Sequence, residues 1–307
     1  TEPTVGVPVT PVRERAAVVA LLQLGRRPWS QYADRLEAAQ SVEELLRAEL
    51  AADGEPPRLF GTETLDPESI LDDAAQSLSA WAGEGISLIT VRDQDYPANL
   101  REVHDRPPVL FVAGQLAAGD ERSVAVIGSR HASREGLAAA RTIATELTAA
   151  GYVVVSGLAM GIDTAAHTST LAYGGRTVAV IGTGLRHSYP PQSAALQARL
   201  ASESAVVSQF WPDAPPSRES FPQRNAVMSG ISRGTVIVEA SARSGARVQA
   251  RRALAHGRPV FLRRVVTREA WAGELAASPG VHVIDEPAEI TAALRLLEVD
   301  SDDELEA

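Results

Sequence analysis

The chain has 307 residues, no cysteine and a formal net charge of −10. The absence of cysteine excludes disulfides, thiolate nucleophiles and thiolate metal sites, and it suits a reducing compartment. No apolar run approaches the roughly 18 residues that a membrane span needs, and the first residues have no secretory signal pattern. The sequence therefore predicts a soluble, cytoplasmic protein with two domains.

Charge is distributed unevenly along the chain. Residues 121–265 contain 17 arginines and 8 acidic residues, a net charge of +9, whereas the flanks contain 12 arginines and 31 acidic residues, a net charge of −19. No lysine occurs, so these cations are planar guanidinium groups that can bind phosphate through two hydrogen bonds and stack on bases. A GC-rich genome would explain the missing lysine but not the separation of charge. A basic centre between acidic flanks indicates a nucleic-acid-binding protein.

The chain begins and ends with segments that lack an apolar pattern. Residues 1–11 are rich in proline and are predicted to be a disordered lead, and the acidic residues 298–307 are predicted to be a disordered tail. Residues 12–83 have helical periodicity and are predicted to form a small helical domain, with Ser41 as an N-cap and a linker at residues 54–57.

From residue 84 to 297, short apolar runs alternate with helical patterns. Strands are predicted near residues 86–91, 109–112, 124–128, 152–156, 177–182, 205–208, 235–239, 259–262 and 281–284. This alternation predicts an α/β fold, an open parallel sheet with helices on both faces.

Small residues follow three successive predicted strands, at Gly128-Ser129-Arg130, Ser156-Gly157-Leu158 and Gly182-Thr183-Gly184. The carboxyl ends of parallel strands meet at one edge of a sheet, where ligands of this architecture bind. After the first loop a helix is predicted with Ser133 as N-cap, so backbone N–H groups, a helix dipole and the Arg130 guanidinium would favour a phosphate there. The alternative is that the glycines only turn the chain.

Two other motifs contain residues that could act in catalysis or bind a base. Asp163 and His167 lie four residues apart at a predicted helix start, as an acid–base pair or, alternatively, as a helix cap and its hydrogen-bonded neighbour. The segment from Phe221 to Asn225 presents an aromatic ring, Arg224 and an amide, as a base-stacking site requires. Its alternative is that Phe221 fills the core.

No other catalytic set is recognisable. The six histidines have no metal-ligand spacing. Patterns of the G-x-S-x-G, Walker and G-x-G-x-x-G types are absent as well. Glu239 ends a predicted strand ahead of Ser244, at a fourth small-residue turn. We expect no catalytic residue, no metal and no cofactor.

Five ordered motifs closely resemble the DNA-processing protein DprA (Smf) family. They are V-I-G-S-R at residues 126–130, S-G-L-A-x-G-I-D-x-x-A-H at 156–167, G-T-G-L-x-x-x-Y-P-P at 182–191, F-P-x-R-N at 221–225 and S-G-x-S at 229–232. The upstream D-Y-P-x-x-L at residues 95–100 and P-P-x-L-F at 107–111 resemble that family too. The resemblance covers roughly residues 12–262.

The resemblance implies a protein that binds single-stranded DNA without sequence preference and loads the RecA recombinase during natural transformation. The fold that it implies is an extended Rossmann-like, mostly parallel sheet behind a small helical, SAM-like N-terminal domain. It also implies a homodimer and no membrane partner. The residues expected to contact DNA are Ser129, Arg130, Gly157, Gly184, Phe221, Arg224, Asn225, Ser244 and Arg247.

The sequence departs from the family pattern in several places. Ala226 stands where a basic residue is usual, residues 246–249 replace an apolar-plus-threonine pattern, and residues 262–264 replace a proline-glycine loop. The C-terminal winged helix of many members is not expected. This altered C-terminal third allows an alternative function, that of a divergent regulatory partner in a defence locus.

A nucleotide phosphoribohydrolase is a further alternative, because the wider superfamily resembles such enzymes and Glu239 ends a strand where a catalytic carboxylate could lie. Residues 232–235 stand where such an enzyme would carry a glycine pair, and this weighs against hydrolysis.

Overall fold

The structure, a computed structural model, describes residues 11–51, 66–242 and 244–305, with side chains up to residue 296. Residues 1–10 of the predicted lead, the predicted linker at 54–57 and the last two residues of the predicted tail lie outside the described residues. None of the described helices is long and apolar enough to cross a membrane.

The described residues form twelve α-helices and nine strands. The helices are α1 (Val12–Gln23), α2 (Trp29–Ala38), α3 (Val42–Ala51), α4 (Pro67–Gly83), α5 (Ala98–Arg101), α6 (Arg134–Ala149), α7 (Ile162–Ala172), α8 (Ala194–Glu203), α9 (Ser220–Ile231), α10 (Ala246–Ala255), α11 (Ala270–Leu275) and α12 (Pro287–Leu305). The strands are β1 (Ile86–Thr90), β2 (Val109–Gly114), β3 (Ser123–Ile127), β4 (Val153–Ser156), β5 (Thr177–Val180), β6 (Ala205–Ser208), β7 (Gly234–Ile237), β8 (Val260–Arg263) and β9 (Val281–Ile284).

All nine strands belong to one sheet, in the order β1-β2-β6-β5-β4-β3-β7-β8-β9. The seven strands from β6 to β9 in this order run parallel, and β2 and β1 extend the sheet as an antiparallel edge. The predicted fold class is therefore confirmed, and each predicted strand is present within a few residues.

The strand order reverses at β3. From β3 the chain proceeds through β4 and β5 to β6, and it then crosses back to place β7 on the other side of β3, with Ile127 opposite Ile237. In open α/β sheets the crevice at such a switch point, beyond the carboxyl ends of the strands, is where ligands bind. The topology thus directs attention to the ends of β3 and β7.

Alternate residues of the central strands pack on opposite faces of the sheet. In β3, Val124 and Val126 contact the apolar sides of α6, α7 and α12, whereas Ala125 and Ile127 belong to the larger cluster on the other face. Both faces are covered, as expected for parallel strands that read as continuous apolar runs. The result is a helix–sheet–helix sandwich with its open edge at the carboxyl ends.

The N-terminal helices pack directly on the sheet. Helix α1 is buried from Ala16 through Leu22 and shares one continuous hydrophobic cluster with β1 and β2. The junction is aromatic: Trp29 lies edge-on to Trp211 at 5.4 Å between ring centroids, and Trp81 lies edge-on to Phe111 at 5.2 Å. The predicted domain boundary falls between α4 and β1, but the two sides share this core, so the division into domains stays a prediction.

The C-terminal end of the chain differs from the prediction. The acidic tail was expected to be disordered from residue 298, but helix α12 continues to Leu305. Ile290 and Leu294 anchor the first turns of α12 in the core. The leucine and glutamate residues that follow have high helix propensity, which allows the helix to extend past its anchor.

Candidate nucleic-acid interface

A cavity of about 430 Å³ opens at the switch point, above the carboxyl ends of β3 and β7. Its walls are the loop after β3, the start of α7, the first half of α9, and the loop from β7 into α10. The structure brings six of the predicted DNA-contacting residues together around it. They are Ser129, Arg130, Phe221, Arg224, Asn225 and Ser244.

Backbone hydrogen bonds hold the loop that carries Arg130. The Ser129 N–H donates to the Glu239 carbonyl at 2.7 Å, and the Ile162 N–H donates to the Ser129 carbonyl at 3.2 Å. Gly161 has a φ of +78°, and a Cβ atom there would lie 2.2 Å from the Ser129 oxygen. The close approach of these two loops therefore requires glycine at 161.

Arg130 is exposed at the mouth of the cavity. Its guanidinium carbon lies 5.6 Å from the centroid of the Phe221 ring, within cation–π distance. Among the described residues, none forms a hydrogen bond or an ion pair with this guanidinium. Arg130 therefore keeps its hydrogen-bond donors available for a ligand.

Phe221 fits both interpretations that the sequence left open, a ring on which a base stacks and a ring that fills the core. The ring is half-buried, and it packs so closely on Gly182 that a Cβ atom there would lie 2.8 Å from it. Tyr189, an exposed residue, lies 5.4 Å from it between ring centroids. Phe221 thus partly fills the core and also forms, with Tyr189 and Arg130, an aromatic and basic surface.

Arg224 has a different environment from Arg130. It is only 7% exposed, and its Nη1 donates to the carbonyls of Gly157 at 2.8 Å and Val180 at 2.7 Å. Burial lowers the pKa of Arg224, and the nearby Asp163 carboxyl opposes that shift. The hydrogen bonds of Nη1 give Arg224 a structural role, the connection of the ends of β4 and β5. Arg224 also lines the cavity, and its contact with DNA stays a prediction.

The carboxylate of Glu239 lies at the N-terminus of α6. Ser133 is the predicted N-cap, and its Oγ accepts the Gly136 N–H at 2.9 Å. The Glu239 carboxylate accepts the Ser133 N–H at 3.0 Å and the Ser133 hydroxyl at 2.5 Å. The phosphate site expected at this helix start stays a prediction, and the negative charge of the Glu239 carboxylate beside Ser133 works against it.

Asp163 has the same role at the loop after β4. Its Oδ2 accepts the N–H groups of Gly157 at 3.1 Å and Ala159 at 3.3 Å. Burial raises the pKa of Asp163, and the Arg224 guanidinium acts in the opposite direction. The carboxyl group is a cap, as one of the two sequence interpretations held.

His167 lies away from the cavity, in the core. Its Nδ1 is 2.7 Å from the Thr177 hydroxyl, which itself donates to the Val154 carbonyl. This network assigns the proton of the neutral ring to Nδ1. Burial lowers the pKa of His167 to about 3. The side chain is thus a neutral core histidine that bonds Thr177 and not, as the structural interpretation expected, Asp163.

Three predicted contacts lie outside the cavity lining. Gly157 contributes its backbone to Asp163 and Arg224, as described above. Gly184 donates its N–H to the Ala214 carbonyl at 2.8 Å and packs against the Trp211 backbone. Arg247 lines a separate cavity of about 150 Å³ beside Trp271.

The sequence interpretation missed Gln249, which lines the cavity, and Tyr189, which packs against Phe221. Tyr189 belongs to the quoted G-T-G-L-x-x-x-Y-P-P motif, so an aromatic residue beyond the third loop was the available signal. Gln249 lines the cavity from the first turn of α10, five residues beyond Ser244, and is fully buried. The available signal was that Gln249 belongs to residues 246–249, which depart from the family pattern.

A second cavity of about 510 Å³ lies on the other side of Arg130 and His131, beside Arg141 and Gln192. Because both cavities include Arg130 and His131, these residues stand between two parts of one extended groove. The groove runs along the carboxyl edge of the sheet, over the starts of α6 and α7.

A cluster of two histidines and one aspartate lies outside both cavities of the groove. His104, Asp105 and His256 place their ligand atoms within 4.8 Å of one another. His256 Nδ1 already bonds the Ser229 hydroxyl at 2.8 Å, its Nε2 bonds Asp105 at 2.7 Å, and Arg252 bonds the other Asp105 oxygen at 2.7 Å. Internal partners therefore engage both ring nitrogens of His256 and both carboxylate oxygens of Asp105.

Comparison with known proteins places this geometry in a family. The model of the family described as DNA recombination-mediator protein A matches residues 87–294. DNA processing protein DprA of Streptococcus pneumoniae (strain R6) is 41% identical over 191 residues, which cover 62% of this chain and 66% of that protein. Protein Smf of Escherichia coli (strain K12) is 42% identical over 175 residues, which cover 57% of this chain and 47% of that protein.

Two solved structures are similar in fold. The X-ray structure of DNA processing protein A from S. pneumoniae superposes with a TM-score of 0.63 at 26% identity, covering 92% of this chain and 95% of that one. A structure of DNA processing protein A from Helicobacter pylori, which describes its single-stranded DNA binding mode, gives 0.60 at 25% identity and covers 68% and 95%.

The matches to curated relatives span about half to two thirds of those proteins. The family model, by contrast, matches more than half of this chain, and it includes the sheet and the switch-point cavity. The resemblance seen in the motifs is thereby confirmed: the chain belongs to the DNA recombination-mediator protein A (DprA/Smf) family.

Proposed function

We propose that this protein binds single-stranded DNA without overall sequence preference and delivers it to the RecA recombinase during natural transformation, acting as a homodimer. The observation that carries the proposal is Arg130, an exposed arginine without a described ion-pair partner, stacked on Phe221 at the mouth of the switch-point cavity. The names of the relatives support a DNA-processing role.

Arg130 and Phe221 offer the two contacts that single strands need. A guanidinium binds phosphate oxygens through charge-assisted hydrogen bonds, and an aromatic ring stacks on any base. The loops at the helix starts contribute less, because Glu239 accepts the N–H of Ser133, the N-cap of α6, and Asp163 accepts N–H groups of the loop after β4. The proposed affinity therefore depends on side-chain cations along the groove.

The same bonds favour a binding protein over a hydrolase. Both oxygens of Glu239 are engaged by Ser133. Asp163 caps a loop and His167 is a buried neutral ring. Each of these three acid–base candidates is held in a structural bond, so none of the three is available as a general acid or base.

Replacing Arg130 with alanine should weaken binding of a labelled single-stranded oligonucleotide by about 1–3 kcal/mol, because a charge-assisted phosphate contact is lost. Fluorescence anisotropy titration measures the change. Arg47→Ala is the matched control, since Arg47 pairs with Glu43 on α3 and lines neither cavity of the groove. Equal affinity of wild type and Arg130→Ala would remove Arg130 from the interface.

The salt dependence of the same titration separates DNA from a small ligand. If about four phosphates are neutralised, the slope of log K against log salt concentration should be near −3, at about −0.7 per phosphate. Arg130→Ala should make that slope shallower by about 0.7. A flat slope for the wild type would point to a small nucleotide ligand and to the hydrolase alternative. Duplex DNA should bind much more weakly.

Contact with RecA should survive the Arg130→Ala substitution. The segments outside residues 121–265 carry a net charge of −19, which disfavours DNA but suits a basic protein surface. We place this contact on the outer helices, and it should weaken as salt rises. A pull-down of RecA by both proteins in the absence of DNA is the measurement. If the variant loses RecA, the DNA and RecA sites are one and the separation proposed here is wrong.

A further inference from the structure

His256 is a buried histidine outside both cavities of the groove. Its side chain is 0% exposed and lies at the C-terminal end of α10. The fold brings this ring against the turn that follows α5, where Asp105 lies 151 residues earlier in the chain and His104 precedes it. The three residues form the cluster described above. Sequence spacing could not reveal it, because only the tertiary structure brings its members together.

The hydrogen bonds of His256 Nδ1 determine where the proton of the neutral ring lies. The buried hydroxyl of Ser229 donates its one proton to the Ala226 carbonyl at 3.2 Å. The same hydroxyl oxygen is 2.8 Å from His256 Nδ1, so Nδ1 is the donor in that bond. The network therefore assigns the proton to Nδ1 and leaves a lone pair on Nε2.

The lone pair on His256 Nε2 faces a carboxylate oxygen. Asp105 Oδ1 lies 2.7 Å from Nε2, and two atoms that can only accept hydrogen bonds repel each other at that distance. A positive species must lie between them, either a second proton on the ring or a metal cation. Histidine ligands in proteins commonly bind metal through one ring nitrogen while the other donates its N–H to a protein oxygen. His256 has this arrangement.

The surroundings of the cluster also favour a cation. Arg252 Nη1 donates to Asp105 Oδ2 at 2.7 Å, and this bond holds the other carboxylate oxygen toward the histidines. His256 is the C-cap of α10, where the negative end of the helix dipole attracts positive charge. The exposed His104 ring lies edge-on to the His256 ring at 5.7 Å between centroids, so an ion can enter from solvent on that side.

We propose that His104, Asp105 and His256 bind one zinc ion. Two imidazoles and one carboxylate are ligands that zinc accepts, and three protein ligands leave a fourth position for water. Zinc bonds of about 2.0–2.2 Å place tetrahedral ligands about 3.3 Å apart, so Nε2 and Oδ1 separate slightly as His104 closes on the ion. The ion clamps the turn after α5 to the end of α10. This site goes beyond the proposed function, since none of its three ligands lines either cavity of the groove.

Calorimetric titration with zinc chloride tests the site. The protein carries no affinity tag and is first freed of metal by a chelator, which is then removed. We expect one zinc ion per chain, and His104→Ala and Asp105→Asn should each weaken its binding by at least about tenfold. His131→Ala is the matched control, because it removes an exposed histidine outside the cluster. It should bind zinc as the wild type does.

Thermal unfolding separates loss of zinc from loss of folding. Zinc at about 100 times its dissociation constant should raise the melting temperature of the wild type by several degrees, because the complete site exists only in the folded chain. The same concentration should have little effect on His104→Ala. Without metal, this variant should melt close to the wild type, since the His104 side chain is exposed.

Two results would overturn the inference. If the wild type does not bind zinc, the positive species between His256 and Asp105 is a second proton. If zinc binds equally well to His104→Ala and Asp105→Asn, the ion lies elsewhere on the chain. Neither result bears on the proposed function, which is measured separately by the oligonucleotide titrations of Arg130→Ala.

Discussion

Replacing Arg224 with methionine is expected to lower the free energy of unfolding by about 2–4 kcal/mol, because a buried carbonyl that loses its donor costs about 1–3 kcal/mol and two carbonyls lose theirs. The substitution would leave the Gly157 and Val180 carbonyls without the Nη1 donor and the buried Asp163 without its neighbouring cation. Urea denaturation followed by circular dichroism measures the change.

Arg218→Met is the matched control for Arg224→Met. Arg218 lies six residues earlier and is exposed, so its loss should change the unfolding free energy by less than about 0.5 kcal/mol. A similarly small effect for Arg224→Met would show that the guanidinium is not needed to join β4 to β5. Arg224 would then be free to act as a DNA contact, as its motif first indicated.

The stability of the protein should fall as pH is lowered from about 6.5 toward 3, and His167 should account for about 4–5 kcal/mol of that fall. The pKa of His167 is lowered from 6.5 to about 3 in the folded protein. Between these values the unfolded chain binds a proton that the folded chain excludes, so the stability is present above pH 6.5 and is lost as pH falls.

His167→Asn isolates this contribution, because asparagine can retain a donor toward Thr177 but does not titrate. Unfolding free energies measured by urea titration across this pH range should decline less steeply for the variant than for the wild type. His131→Asn, at the exposed rim of the groove, is the control and should follow the wild type. Parallel curves for wild type and His167→Asn would contradict the burial of a neutral ring.

The strands and their loops were predictable because they depend on local pattern. Continuous apolar runs such as Val124–Ile127 mark strands buried on both faces, and Ser133 marks a helix start through a bond made within four residues. The meeting of the loops at one edge follows from the parallel topology alone. These features need no knowledge of distant partners.

The chemistry of the site depends on distant partners and was less predictable. Glu239 caps a helix 106 residues away, and Arg224 bonds carbonyls 67 and 44 residues away. The motifs indicated that a carboxylate and an arginine belong there, but not that each would be used internally. The burial of Gln249 beside the cavity could be recognised only in the structure.

The aromatic junction between the N-terminal helices and the sheet has an optical consequence. Three of the four tryptophans meet there, with Trp211 5.4 Å from Trp29 and 6.0 Å from Trp81 between ring centroids. Indole emission changes with the distance and polarity of its neighbours, so a shift of α2 against the sheet would alter the intrinsic fluorescence. The molecule therefore carries an unlabelled spectroscopic reporter of motion between its helical and sheet regions.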